Sequence, residues 1–300
     1  MDSVRGSPVP SVVIAAHNEE NLIGATLQSL AGQDLPGGVE VVVSANGCTD
    51  RTAEVARAAG VAVVDRPEPG KPGALNAGDR VATSFPRVYL DADIVLPQHA
   101  LRAFVARLAA EPAPLVVIPR RRLVTTGRPW PVRAYFAINE RLPVFRTGLF
   151  GRGVIVLSEE GRKRFGEFPT LVADDLFLDS LFTDEERAVV PDVEVSVEAP
   201  YTTRDLLRRL ERVRRGNAQM REAGERSGLG LSVRRSRRWS WLTDVVARDP
   251  RLIPAAIPYV VITLAAAVRG RRRVPDPARS WGRDESTRGG TRAPDGRGVT

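Results

Sequence analysis

The chain has 300 residues, of which 43% are hydrophobic and 27% charged, with a formal charge of +8 and a single cysteine. That length buries a substantial core, as one large α/β domain or one domain with an appendage; one cysteine excludes an internal disulfide, and no basic start leads into an apolar run, so a cytosolic location is expected. The charge is segregated: Arg204 to Arg238 has a surplus of +8, Arg269 to Thr300 one of +5, residues 239–268 balance, and residues 1–203 therefore carry −5. Such clustering suits an anionic surface, although solvated helix faces and a disordered tail have the same composition.

Residues 1–8 mix Ser, Gly, Pro and charge and read as a flexible start. Val9 to Ala16 is a nearly unbroken apolar run, the pattern of a strand buried on both faces. It ends at His17-Asn18-Glu19-Glu20, which opens a helix marked by Leu22, Ile23, Thr26, Leu27 and Leu30. A second strand spans Val39 to Ser44, a helix Arg51 to Ala59, and a third strand Val61 to Asp65. Three strands linked by helices make a doubly wound α/β beginning, which binds ligands at the carboxyl ends of its strands.

The loop 66–73 contains Gly70-Lys71, but Pro72 stands where a phosphate-binding loop needs Ser or Thr, and no Gly-x-Gly-x-x-Gly follows the first strand. A helix is expected from Ala74 to Thr83 and a strand over Val88 to Val95. Within that strand Asp91 and Asp93 would face one side, about 7 Å apart, placed to hold a hard cation. A helix over 98–110 and a strand over Leu115 to Pro119 follow, and Arg120-Arg121-Arg122 then reads as a solvated basic knot at the strand's end. Residues 128–147 are helical in part, and Leu149 to Leu157 reads as a tight glycine turn entering a strand. Asp174-Asp175 interrupts an apolar run, either as a helix N-terminus or as a carboxylate aimed into a pocket as a base. His17 reads as a solvated loop residue and Cys48 as a small buried one.

In this order the pieces resemble the family-two, inverting glycosyltransferases of the GT-A fold, from about Pro10 to Gly216. His17-Asn18-Glu19-Glu20 is similar to that family's Asn-Glu-Glu opening, and Asn46-Gly47-Cys48-Thr49-Asp50-Arg51-Thr52 to its Gly-Ser-Thr-Asp-x-Thr segment. Lys71-Pro72-Gly73-Ala74-Leu75-Asn76-Ala77-Gly78 resembles its Lys-x-x-Ala-Leu-Asn-x-Gly loop, Asp91-Ala92-Asp93 its metal-binding Asp-x-Asp, and Gly166-Glu167-Phe168-Pro169 with Asp174-Asp175 its catalytic-base segment. Two departures stand out. Ala45-Asn46 replaces the acidic pair that usually opens the second motif, and Arg209-Leu210-Glu211-Arg212-Val213 stands where processive members carry Gln-x-x-Arg-Trp.

The resemblance implies a mostly parallel sheet flanked by helices, and transfer of a sugar from a nucleoside-diphosphate sugar donor to an acceptor hydroxyl, one unit per encounter. It implies Asp175 as the base, with Asp174 beside it, and Mn²⁺ or Mg²⁺ held by Asp93 and Asp91. Asn18, Glu20, Asn46, Asp50, Lys71, Asn76, Asp91 and Arg212 would line the donor site. A sugar nucleotidyltransferase and a non-enzymatic basic anion-binding protein are the rival readings; nucleic acid is not expected as a partner, because aromatic platforms are lacking among the arginines.

Arg204 to Arg226 is an expected helix with Leu206, Leu207, Leu210 and Val213 as its stripe, closing a catalytic unit over 9–226. Residues 227–273 read as a basic and apolar helical appendage. Within it Leu252 to Val268 is free of charge and precedes Arg269-Gly270-Arg271-Arg272-Arg273, which reads as a helix at the lower length limit for a bilayer span, as one dipping into the cytoplasmic leaflet with arginines at anionic headgroups, or as a buried packing helix. Residues 274–300 read as disordered.

Overall fold

The structure, a computed structural model, describes residues 9–170, 174–227 and 239–270. The expected flexible start, the break at residues 228–230 and the disordered tail lie outside these described residues. The chain folds as β1 (Ser11–Ala16), α1 (Ile23–Ala31), β2 (Glu40–Asn46), α2 (Thr52–Ala58), β3 (Ala62–Arg66), α3 (Lys71–Val81), β4 (Arg87–Asp91) and α4 (Ala100–Ala109). It continues through β5 (Val116–Val124), α5 (Trp130–Asn139), α6 (Val144–Thr147), β6 (Val154–Leu157), α7 (Glu159–Arg162), α8 (Asp174–Leu181), β7 (Arg187–Glu198) and α9 (Thr203–Ser227). A π-helical turn (Trp241–Val246), a 3₁₀ turn (Pro250–Leu252) and α10 (Ile253–Gly270) follow.

The seven strands form one sheet in the order β3-β2-β1-β4-β6-β5-β7, in which only β6 runs antiparallel to its neighbours. Because strand side chains alternate, β1 feeds two cores. Val12 and Ile14 meet Ile23, Leu27, Leu101 and Phe104 of α1 and α4. Val13 and Ala15 meet Leu75 of α3 and Phe177 and Leu178 of α8 on the opposite face. A third cluster joins Tyr135 and Ile138 of α5, Leu206 of α9, Val245 of the π turn and Tyr259 and Ile262 of α10.

Several expected boundaries move. α3 starts at Lys71, three residues early, because Pro72 occupies the first turn, where its missing N–H costs nothing. β4 ends at Asp91 and the chain turns through Ala92-Asp93, so strand alternation does not orient Asp93 as expected. β5 runs on to Val124, so Arg120 to Arg122 lie inside a strand paired with β7 and not at its end. The register shifts between Pro119 and Arg120, where Val190 and Glu194 are the successive partners; the extra residues of β7 form a bulge beside a proline that has no N–H to donate.

Candidate active site

The carboxyl ends of β2, β1 and β4 lie side by side, and α1, which leaves β1, and α3, which leads to β4, pack on opposite faces of the sheet, the switch point at which such sheets bind ligands. The loops leaving these strands carry most of the motif residues. Asn18 adopts φ 55°, a region Asn enters more readily than most side chains. Its Oδ1 accepts from Thr49 N at 2.8 Å. Glu20 N donates to Asp50 Oδ2 at 3.1 Å, while Glu20 Oε2 accepts from Arg51 N at 3.1 Å. Asp50 Oδ1 accepts from Thr52 N at 3.0 Å and Thr52 Oγ1 at 2.5 Å. Partial burial works to raise the Asp50 pKa, but the hydrogen bonds from Thr52 and Glu20 prevail and hold it below the usual value. Asn18, Glu20 and Asp50 thereby fasten the first two strand-to-helix loops to each other.

Asn46 is fully buried. Its Nδ2 donates to Ala16 O at 2.7 Å and its Oδ1 accepts from Gly70 N at 2.9 Å, so one amide joins three segments beneath the crevice. His17 Nδ1 lies 2.6 Å from Asn46 O; the ring is half-buried and bonded, not the solvated loop residue expected. Burial pushes the Cys48 thiol up, away from the thiolate a nucleophile would need. Asn76 forms a two-way amide pair with the backbone of Phe168, at 3.0 and 2.7 Å, and thereby ties α3 to the segment before α8.

The charged centre lies where α3, β4 and α8 meet. Lys71 Nζ is 2.7 Å from Asp91 Oδ1 and 3.0 Å from Asp174 Oδ2. Burial alone would lower the Lys71 pKa, but Asp174 and Asp91 outweigh it and hold the ammonium well above its ordinary value. Asp175 is the opposite case. Burial first, and then the neighbouring Asp174 carboxylate, push it up to about 6, against the opposing pull of Lys71 and of the hydrogen bond from Gly151 N. That bond, Gly151 N to Asp175 Oδ2, measures 3.1 Å.

Gly151 and Gly153 shape this loop. Both have positive φ, 69° and 70°, and a Cβ on Gly153 would lie 2.5 Å from Ile94 Cγ1 and 3.3 Å from Asp91 Oδ2. Gly153 O accepts from Asp91 N at 2.8 Å, so the loop before β6 touches Asp91 and also holds Asp175. Asp93 is exposed beyond the strand end. Arg212 sits on α9, which packs against α8, α5 and α10.

Other residues at the site gave little sequence signal. Arg120 and Arg122 pair with Glu194 at 3.5 and 3.2 Å, while Arg121 turns to the other face, over the Phe145 ring at 5.0 Å and 3.4 Å from Gly151 O. Strand alternation would have split the three arginines this way had β5 been extended through Leu123-Val124. Arg152 is buried and donates to the carbonyls of Gly148, Pro119, Phe145 and Arg146. Asp179 and Arg187 form a buried pair at 2.6 Å, and Asp179 Oδ1 also accepts from Leu149 N at 2.9 Å.

Among the described residues no group of three His, Cys, Asp or Glu side chains gathers to hold a metal. Asp91, with 42% of its side chain exposed and one oxygen on Lys71, and exposed Asp93 supply carboxylate oxygens at the end of β4, the hard donor type that a cation completing its shell with substrate phosphates and water takes.

Residues 11–157 match the family model described as Glycosyl transferase family 2. They belong to that family. An uncharacterized glycosyltransferase of Mycobacterium tuberculosis is 35% identical over 141 residues, 45% of this chain and 62% of that relative. The 4,4'-diaponeurosporenoate glycosyltransferase of Staphylococcus aureus is 38% identical over 90 residues, 28% of this chain and 24% of the relative. The chain thus spans about three-fifths or less of the length of these two relatives. Among solved structures, a Pyrobaculum calidifontis mannosyltransferase in complex with GDP-Man and Mn²⁺ superposes with a TM-score of 0.58 at 23% identity, over 90% of this chain and 78% of that one. S. aureus TarS, residues 1–349, gives 0.51 at 17% identity, over 87% of this chain and 90% of that one. At such identities the likeness speaks to the fold alone. It is the GT-A fold that the sequence motifs imply, a mostly parallel sheet flanked by helices.

Proposed function

We propose that this protein is an inverting glycosyltransferase that moves a sugar from a nucleoside-diphosphate sugar to an acceptor hydroxyl, one unit per encounter. The observation that carries the reading is the state of Asp175: a half-buried carboxyl pushed up to about 6, bonded to Gly151 N, next to the Lys71–Asp91–Asp174 cluster at the carboxyl edge of β4. A base with a pKa near neutrality takes a proton efficiently and remains mostly ionised at pH 7.

Asp175 takes the proton of the acceptor hydroxyl while that oxygen attacks the anomeric carbon. The new C–O bond forms as the bond to the diphosphate oxygen breaks on the opposite face, and the nucleoside diphosphate leaves with that electron pair. Lys71 faces the developing charge of the leaving group, and Arg212 is a second candidate contact to the diphosphate. Mn²⁺ or Mg²⁺, held by Asp91 and Asp93 when bound, would supply further neutralisation of the two phosphates. The Mn²⁺ complex of the Pyrobaculum protein supports this cofactor class. Asn18, Glu20, Asn46, Asp50 and Asn76 position the walls of the donor site through their hydrogen bonds to backbone.

Residues 9–226 carry this chemistry in our reading, and residues 227–273 hold the protein at the cytoplasmic face of an anionic membrane. The test is a thermal-shift panel of nucleoside diphosphates and their sugars, with and without Mn²⁺, followed by product analysis. A metal-enhanced shift with one nucleotide class and release of a nucleoside diphosphate are expected. Release of pyrophosphate from a nucleoside triphosphate and a sugar phosphate would instead establish the nucleotidyltransferase reading.

A further inference from the structure

Among the described residues one helix, with the turn leading into it, is long and apolar enough by composition to cross a membrane. Its surroundings decide against crossing. α10 buries Ala255, Tyr259, Ile262 and Ala266 against the protein, where Tyr259 stacks on Tyr135 of α5 at 5.2 Å. Arg214 of α9 donates to Thr263 O at 3.1 Å, and Arg269 pairs with Glu211 at 3.7 Å, so α9 also lies along this face. A helix with one side committed to a water-soluble fold cannot be surrounded by lipid.

The other side is bare. Ile253, Ile257, Val261, Leu264 and Val268 are 59–71% exposed, and at 3.6 residues per turn they fall within about 80° of arc. Trp239 and Leu242, in the turn that leads to the helix, are exposed as well. Exposed Arg248 and Arg251 precede the stripe, and Arg269 and the sequence Arg271-Arg272-Arg273 follow it. Residues 271–300 offer only Val274, Trp281 and Val299 as large apolar side chains, too few to cover five.

We infer that α10 lies in the plane of an anionic bilayer, its Ile253–Val268 stripe sunk among the acyl chains and its flanking arginines at the headgroup phosphates. The inference rests on the membrane placement proposed above and gives it a geometry: attachment by one helix face, without a span. A basic-ended apolar stripe with a tryptophan beside it is the composition of an interfacial helix. A second copy of the chain fits less well. The stripe is about 22 Å long and one helix, about 10 Å, wide, well below the ~800 Å² per partner of a stable interface. The unbalanced positive charge lies at its C-terminal end, in Arg269 and the sequence Arg271-Arg272-Arg273, since Arg248 and Arg251 at the other end are matched by Asp244 and Asp249.

The test is co-sedimentation of the full-length protein with phosphatidylcholine vesicles, with and without phosphatidylglycerol. Binding at least about tenfold stronger to the anionic vesicles is expected, weakened by salt. A blue shift of tryptophan fluorescence on binding should accompany it, and Ile257→Glu/Leu264→Glu should abolish both. Thermal unfolding of that variant and its nucleotide-induced shift should match the wild type, since these side chains point to solvent. Retained sedimentation of the double variant, absence of binding by the wild type, or a wild-type dimer that the same substitutions split would overturn the inference. Nucleotide-induced stabilisation in vesicle-free buffer is read separately, so failure of the glycosyltransfer reading is told apart from failure of this one.

Discussion

Asp175 sits where its charge is opposed by burial and by a second carboxylate, and it is kept ionisable by Lys71 and by the backbone N–H groups of Gly151 and Leu176. This balance predicts the pH dependence of transfer. An acid whose pKa is raised to about 6 loses its proton as pH rises through 6, so kcat should climb over that limb and level off above it. Asp174→Asn removes one cause of the upward shift and should move the limb to lower pH, whereas an unmoved limb would mean that another group sets it. Asp175→Asn should lower kcat by about 10²-fold to 10⁴-fold, the usual worth of a general base, with nucleotide binding close to wild type by calorimetry. Lys71→Met separates two roles. With no counter-charge left between Asp91 and Asp174, it should weaken nucleoside-diphosphate binding and also push the acid limb upward. Gly153→Ala would force φ 70° on a residue with a side chain and drive its Cβ to 2.5 Å from Ile94 Cγ1. A loss of about 1–3 kcal/mol in urea titration is expected, together with impaired binding because Asp91 is the next neighbour.

The elements around the site differ in how plainly the sequence announces them. β1 and the helices after it are legible because a strand buried on both faces has no polar interruption, and α1 repeats its apolar side chains at helical spacing. β4 is legible as a strand but not in its length: Ile94 and Val95 continue an apolar run after the backbone has turned at Ala92, and composition does not report that turn. β7 gives the weakest signal. Pro191-Asp192 interrupts it and it is not among the expected strands, although Val193, Val195 and Val197 alternate with Glu194, Ser196 and Glu198 in the two-residue period of a half-buried strand. The motif residues were legible by type, yet Asn46 and Asn76 spend their amides on backbone, which only the folded contacts disclose. The buried Asp179–Arg187 pair was silent in the sequence for the same reason, since its two partners come from α8 and β7. Both side chains are 2% exposed, and Asp179 also holds Leu149 N at the entry to the glycine loop. Asp179→Ala leaves a guanidinium buried without its partner, so a loss of about 3–5 kcal/mol is expected in denaturant titration. A loss below about 1 kcal/mol would mean that Asp184, 3.6 Å from Arg187 Nε, and the carbonyls of Thr147, Thr183, Asp179 and Phe182 suffice for Arg187.

At the scale of the molecule, charge and packing divide the chain differently. By charge, residues 1–203 are acidic and the remainder basic, which separates the proposed chemistry from the proposed attachment. By packing, the division disappears: α5, from the middle of the chain, buries Tyr135 and Ile138 in the same cluster as Val245, Tyr259 and Ile262 of the C-terminal region. The consequence concerns truncation. Cutting the chain after residue 227 would uncover one side of α5 and of α9, including Val132, Tyr135 and Leu206. A large apolar side chain contributes about 1.5–3 kcal/mol when fully buried, so partial exposure of three of them costs several kcal/mol. A protein of this size loses about 2–4 °C of Tm per kcal/mol, which places the fall on the order of 10 °C. Calorimetry of residues 1–227 beside residues 1–270 measures it. Equal unfolding temperatures would show that the helical cluster merely rests on the sheet domain. A large fall, with the shorter chain aggregating through α5, would show that the C-terminal helices and the sheet domain unfold as one cooperative unit, held together by the cluster around Tyr135, Leu206 and Tyr259.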